Sequence, residues 1–247
     1  MRRALISLLL FLAPGLVAAS AGGGFEIKHA RIDPTDKASL QRGARTFANY
    51  CLSCHSASYM RYKRLMDDLG VSEKVMQGSL MFASDKIYDG MDVAFRPEDG
   101  RKWFGVPPPD LSVTARARGA NWLYTYFTSF YRDDSKPTGV NNAVFPDVAM
   151  PHVLWREQGW QDAVYVTEKG ADGRERKHLA ALKLSEPGAQ TAAEYDHTVR
   201  DLVAFLVYLG EPAELQRKEL GSYVLLFILF FAGLAYLLKR EYWRDVH

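Results

Sequence analysis

The sequence predicts a mainly α-helical domain carried on one C-terminal transmembrane helix. Three observations lead there: a secretory-type N-terminus, two helical stretches bracketing the middle of the chain, and a long uncharged run near its end.

MRRALISLLLFLAPGLVAAS has the parts of an export signal. Arg2 and Arg3 make a basic start, Ala4 to Leu12 a short apolar run, and Ala18 to Ala21 a small-residue cleavage region. The apolar run is too short to span about 30 Å of hydrocarbon, and Pro14 and Gly15 interrupt it. Residues 1–21 are therefore expected to be a signal peptide. Its removal takes the formal net charge from +2 to about zero, and nothing in that balance suggests a nucleic-acid partner.

The first helical stretch is Asp33 to Tyr50, with Asp36 as cap and Leu40, Gly43, Phe47 and Tyr50 along one face. Gly43 leaves a flat spot where a second helix could cross closely. Ala192 to Leu209 is the expected partner, with Val199, Leu202, Val203, Phe205, Leu206 and Leu209 on a broad apolar face. Between them, Arg96 to Asp110 and Glu168 to Arg176 read as loops. Trp122, Tyr124, Tyr126, Phe127, Phe130 and Tyr131 read as an aromatic-rich packing helix.

Leu220 to Leu238 carries no formal charge, and as a helix at about 1.5 Å per residue it reaches roughly 28 Å. Lys239 and Arg240 follow at once, with Tyr236, Tyr242 and Trp243 as interface anchors. The expected organisation is an exported domain over 22–215, a transmembrane helix over 216–240, and a cytoplasmic tail over 241–247.

The chain's two cysteines stand in C-x-x-C-H, as Cys51, Cys54 and His55. A structural zinc site would need four ligands, and no second C-x-x-C or H-x₃₋₅-H exists. A thioredoxin-like pair would need a βαβ setting that the neighbouring sequence lacks, and a plain disulfide would leave His55 unexplained. Covalent haem uses all three residues: two thiols form thioethers with the haem's vinyl groups, and the histidine binds iron from one side.

The second axial ligand is expected to be Met150. It lies in VFPDVAMPHVLW, between Pro146 and Pro151, ahead of the last soluble helix; His152 is the rival. In VPPPDLSVTARARG, Arg116 and Arg118 would share one face if the segment were extended, and Arg118 is preferred as partner of a haem propionate.

CLSCH at 51–55, PPDLS at 108–112 with RAR at 116–118, FPDVAMP at 145–151 and DLVAFLVYLGEP at 201–212 come in the order seen in the cytochrome c1 family, and the chain resembles that family over nearly all of its mature length. The resemblance implies a c-type cytochrome domain enlarged by insertions between the two axial ligands. It implies one covalent haem c on Cys51 and Cys54, iron held by His55 and Met150, and Arg118 near a propionate. The implied role is the electron-carrying subunit of the respiratory quinol–cytochrome c reductase, the bc1 complex, with no bond-making chemistry on this chain. It would take one electron from the Rieske iron–sulfur protein and pass it to a cytochrome c, beside cytochrome b in a dimeric complex of the bacterial inner membrane, haem domain in the periplasm. A tethered haem subunit of another respiratory complex, such as a terminal oxidase, and a tethered haem peroxidase are the alternatives. Some bacterial relatives carry an extra disulfide; here both cysteines are committed, so the methionine loop must be held rigid by packing. Glu98, Asp99, Asp133 and Asp134 are candidates for steering a basic cytochrome c.

Overall fold

The computed structural model describes residues 25–169 and 175–245. The predicted signal peptide, 1–21, and the last two residues of the predicted tail lie outside them. Nine helices and six strands follow in order among the described residues: α1 (Lys37–Tyr50), β1 (Ala57–Arg61), α2 (Tyr62–Leu69), α3 (Glu73–Ser79), β2 (Gly90–Met91), α4 (Pro97–Phe104), α5 (Thr114–Arg118), α6 (Ala120–Thr128), β3 (Phe130–Arg132), β4 (Val140–Asn142), α7 (Trp155–Gln158), β5 (Gly159–Lys169), β6 (Glu175–Pro187), α8 (Ala192–Gly210) and α9 (Glu214–Tyr242). The strands make three separate antiparallel pairs, β1–β2, β3–β4 and β5–β6.

Helix α1 begins where Asp36 accepts the Ala38 N–H at 2.9 Å, so the expected cap is the observed one. Residues 33–36 form a turn instead of helix, with Asp33 accepting from Thr35. Helix α8 opens with a reciprocal capping box between Thr191 and Glu194. All six apolar residues predicted for its inner face are buried. The two helices cross at Gly43, where an added Cβ would stand 2.7 Å from Phe205 Cβ. Phe47 and Phe205 pack beside the crossing, ring centroids 5.4 Å apart. Asp201, buried on α8, accepts from Ser39 Oγ at 2.5 Å and from Arg42 Nε at 2.6 Å, tying the pair with a charge-assisted link.

Four expectations need correction. Phe130 and Tyr131 stand in β3 and not on the aromatic-rich helix, which ends at Thr128. Residues 96–110 contain a helix, α4, because Pro97 suits the first helical turn and Gly105, in the left-handed conformation, ends it. Of the stretch 168–176, residues 168–169 and 175–176 are paired strand in a long hairpin, with β-branched and aromatic residues such as Val164, Tyr165, Val166 and Thr167 in β5, and residues 170–174 lie outside the described residues. That hairpin is exposed on both sides over most of its length, so it has no buried face to impose alternation on the sequence. Residues 116–118 are helical, not extended, and the two arginines point apart: Arg116 lies against Gly210 while Arg118 turns to the Trp122 ring.

Helix α9 contains one stretch, Gln216–Tyr242, long and apolar enough to cross a membrane. Leu225, Phe227, Leu229, Phe230 and Phe231 are each at least 61% exposed, so no protein surface among the described residues covers them. Lipid is the environment such an all-round apolar helix requires.

Candidate functional site

Helix α1 delivers the C-x-x-C-H segment directly. Cys51 caps the helix, its N–H donating to Phe47 O at 2.9 Å, and the Cys54 and His55 N–H groups both donate to Cys51 O, at 3.0 and 2.8 Å. This tight turn brings three side chains to one wall. Cys51 and Cys54 are unpaired thiols, so the segment is not a disulfide in this structure. Burial pushes the Cys51 thiol up to about 12, with Cys54 a lesser cause, which keeps it protonated at neutral pH.

Two adjoining hollows of about 600 and 990 Å³ open beside that wall. Cys54 borders the smaller, Cys51 the larger, and both share His55, Val106, Pro109, Ala149 and Met150. The remaining lining is mostly apolar, including Pro107, Pro108, Leu123, Phe127, Val148 and Leu206. Adjoining hollows with an apolar lining and few polar groups suit a large flat cofactor.

His55 is oriented from behind. Its Nδ1 lies 2.8 Å from Pro109 O, and because a carbonyl only accepts, Nδ1 carries the proton. Nε2 keeps its lone pair, the tautomer a metal ligand needs. Burial lowers the ring's pKa, partly opposed by the Pro109 carbonyl and Asp110, which favours this neutral form. Pro109 is itself anchored. Asp110 accepts from Ser58 N at 2.9 Å, Ser58 Oγ at 2.7 Å and Ser112 N at 2.7 Å, while Leu111 N donates to Ser56 O at 2.8 Å. The proline wall and the residues just after His55 are thus laced together.

Met150 reaches the site on a loop held from β4. Asn142, fully buried, donates from Nδ2 to Tyr126 O and accepts on Oδ1 from the Val144 and Phe145 N–H groups. Asn141 Oδ1 accepts the Asp147 N–H at 2.8 Å, where Asp147 sits at a φ of 62°. Hydrogen-bonded asparagines therefore supply the rigidity expected from packing. Among the described methionines Met150 alone borders the hollows; Met60, Met76, Met81 and Met91 are buried in the core. His152 borders neither hollow. Its ring stacks on Phe130, 4.9 Å between centroids and 3° from parallel, and burial drops its pKa to about 4.

Arg118 borders the larger hollow, with its guanidinium 4.9 Å from the Trp122 ring centroid and 5.7 Å from that of Phe145. It pairs with no carboxylate among the described residues, so its charge is available to an anionic group there. Trp122 and Tyr126 also border that hollow, and the Tyr126 hydroxyl donates to Met150 Sδ at 3.4 Å. Trp122 and Tyr126 stand four residues apart on one face of α6, and that face lines the hollow besides serving the packing expected of it. Of the acidic residues suggested for steering, Asp99 pairs with Arg96 and Asp133 accepts from Ser135 and Asn141, so both serve local structure.

The donor set fits haem c: two unpaired thiols, a histidine with its free nitrogen selected, a thioether and an unpaired arginine, all at one apolar space. The family model for the cytochrome C1 family matches residues 28–169 and 185–246, leaving out most of β6. Cytochrome c1 of Allochromatium vinosum is 49% identical over 247 residues, covering all of both chains. A protein of Nitrosomonas europaea named ammonia monooxygenase gamma subunit is 50% identical over 240 residues, 97% of each chain. Cytochrome c1 of Rhodospirillum rubrum is 26% identical over 289 aligned positions, covering 99% of this chain and 97% of its own. With the C-x-x-C-H turn, the methionine loop and the membrane helix in one architecture, the chain belongs to the cytochrome c1 family, the membrane-anchored haem electron-transfer subunits of bc1 complexes.

Proposed function

We propose that this chain takes one electron from the Rieske iron–sulfur protein and passes it, through a single covalent haem c, to a cytochrome c. The observation that carries the reading is that His55 and Met150 border both of two adjoining apolar hollows, with Cys54 on one and Cys51 on the other. Cys51 and Cys54 would hold the haem as thioethers, and His55 Nε2 and Met150 Sδ would take the two axial positions. Arg118 would meet a propionate through its forked donors. When bound, the haem supplies an iron that gains and loses one electron.

The chain's own contribution is to keep the surroundings still. Pro109 O fixes His55, the asparagine pair of β4 fixes the methionine loop, and the apolar lining excludes water that would otherwise reorient with each change of charge. With His55 and Met150 both holding the iron, a peroxidase reaction would have no open iron site, and no bond would be made or broken on this chain. Helix α9, with Lys239 and Arg240 at its end, would tether the domain to the bacterial inner membrane beside cytochrome b in a dimeric complex. The signal-like N-terminus supports a periplasmic haem domain.

Absorption spectra of the purified protein, beside Met150→His, test the ligand set. The expected result is a c-type reduced band together with a thioether-to-iron band in the oxidised protein, the latter absent from the variant. A missing thioether band in the unmodified protein overturns Met150 as ligand. The relative named as an ammonia monooxygenase subunit favours a second reading, a haem subunit serving another oxidoreductase. Co-purification with cytochrome b and the Rieske protein supports the first reading, and their absence from the purified complex supports the second.

A further inference from the structure

Tyr126 is not explained by packing alone. It sits on α6, 8% exposed, with its ring stacked on Trp122 at 5.1 Å and set edge-on to Phe127 and Phe130. These three aromatic contacts would hold a phenylalanine as well as a tyrosine. A buried hydroxyl costs free energy unless it finds a partner, and the partner present is Met150 Sδ at 3.4 Å, within the range for a bond to sulfur. The ring is locked by its neighbours, and Asn142 Nδ2 grips the Tyr126 carbonyl at 2.8 Å while its Oδ1 holds the loop leading to Met150. Donor and acceptor are therefore set by one scaffold.

We propose that Tyr126 tunes the reduction potential upward, by donating its hydroxyl to the sulfur of Met150; this rests on the reading of Met150 as an axial ligand. A thioether sulfur has two lone pairs. One would bind iron, and the other accepts the Tyr126 proton. A hydrogen bond on the second pair draws electron density from the sulfur and makes it a poorer donor. The oxidised iron carries the higher charge and depends more on that donation, so the bond weakens the oxidised state relative to the reduced one. Tyr126 is thus a positioning and tuning residue beyond the direct ligands, of the kind that sets metal-site potentials. Its advantage is independence from solvent: the bond lies within the buried aromatic cluster, where it is not diluted by competing water.

The test is a spectroelectrochemical titration of the full-length, membrane-extracted protein with its haem, comparing the unmodified chain, Tyr126→Phe and Tyr124→Phe. Tyr124, which hydrogen-bonds Asp196 and borders neither hollow, is the control for loss of a tyrosine hydroxyl on the same helix. The expected result is a lower potential in Tyr126→Phe alone. At fixed electrode potential its oxidised-to-reduced ratio should rise by up to about tenfold, equivalent to about 59 mV for one electron, with the thioether-to-iron band kept but displaced. A ring-fluorinated tyrosine placed at position 126 strengthens the donor and should move the potential the other way, which tests the proposal without removing any atom from the core. An unchanged potential in both Tyr126 variants, with the band intact, overturns the proposal. A thioether band missing from the unmodified protein overturns the ligand assignment itself, and so separates the two failures.

Discussion

Asp110 accepts three hydrogen bonds from Ser58 and Ser112, and through the adjoining Pro109 carbonyl it governs how the His55 ring is aimed. Burial would raise its pKa, but the bonds from Ser112 and Ser58 outweigh that and bring it from 3.8 to about 2. The folded value lies below the unfolded one, so its stabilising effect is full above about pH 4 and is lost as the pH falls through about 2. Asp110→Asn should therefore melt at a lower temperature than the parent at pH 7, and the gap should close between about pH 4 and pH 2. A gap that stays constant across that range would mean the charge of Asp110 contributes nothing. Cys51, Cys54 and His55 could be singled out without a structure because their chemistry is a local spacing. The roles of Asp110 and Tyr126 could not, because each acts on a group more than twenty residues away.

Helices α1 and α8 cross where a glycine allows two backbones to meet. Replacing Gly43 by alanine has two opposed effects. Alanine favours helix over glycine by about 1 kcal/mol, whereas overpacking a filled interface costs about 1–3 kcal/mol. Here the new Cβ would lie 2.7 Å from Phe205 Cβ and 2.8 Å from the Asp201 carbonyl carbon. Neither atom is the end of a flexible side chain, so the clash can be relieved only by moving a helix. With the Asp201 backbone in the way the cost falls at the upper end, so Gly43→Ala should lose about 2 kcal/mol net, read as a lower denaturant midpoint with an unchanged slope; equal or greater stability would show that the crossing has slack. The amphipathic pattern revealed both helices because each has one buried face. The β5–β6 hairpin escaped because it is exposed on both sides, and α4 escaped because Pro97 and Gly105 mark a short helix as readily as a loop.

In the whole molecule, the haem-site domain and the membrane helix are separate physical problems. Helix α9 leaves its apolar side chains exposed along its length, so the soluble domain does not depend on it for a core. A chain ending at Ala213 should stay soluble without detergent and keep the same oxidised and reduced spectra, with a stability within about 0.5 kcal/mol of the full chain's haem domain. Loss of the spectrum on truncation would mean that α9 supports the site directly. The sequence by itself determined the C-x-x-C-H turn, the two crossing helices and the apolar span. Each is written in short-range chemistry: a three-residue spacing, a helical period, an uncharged length. Only the tertiary structure decided that Met150 borders the hollow while His152 is stacked away on Phe130, that Arg118 faces the site while Arg116 lies against Gly210, and that Tyr126 bonds the methionine sulfur. Those outcomes depend on which side chains the packing of distant segments turns inward, and residues two positions apart can be sent to opposite sides of one short loop or helix.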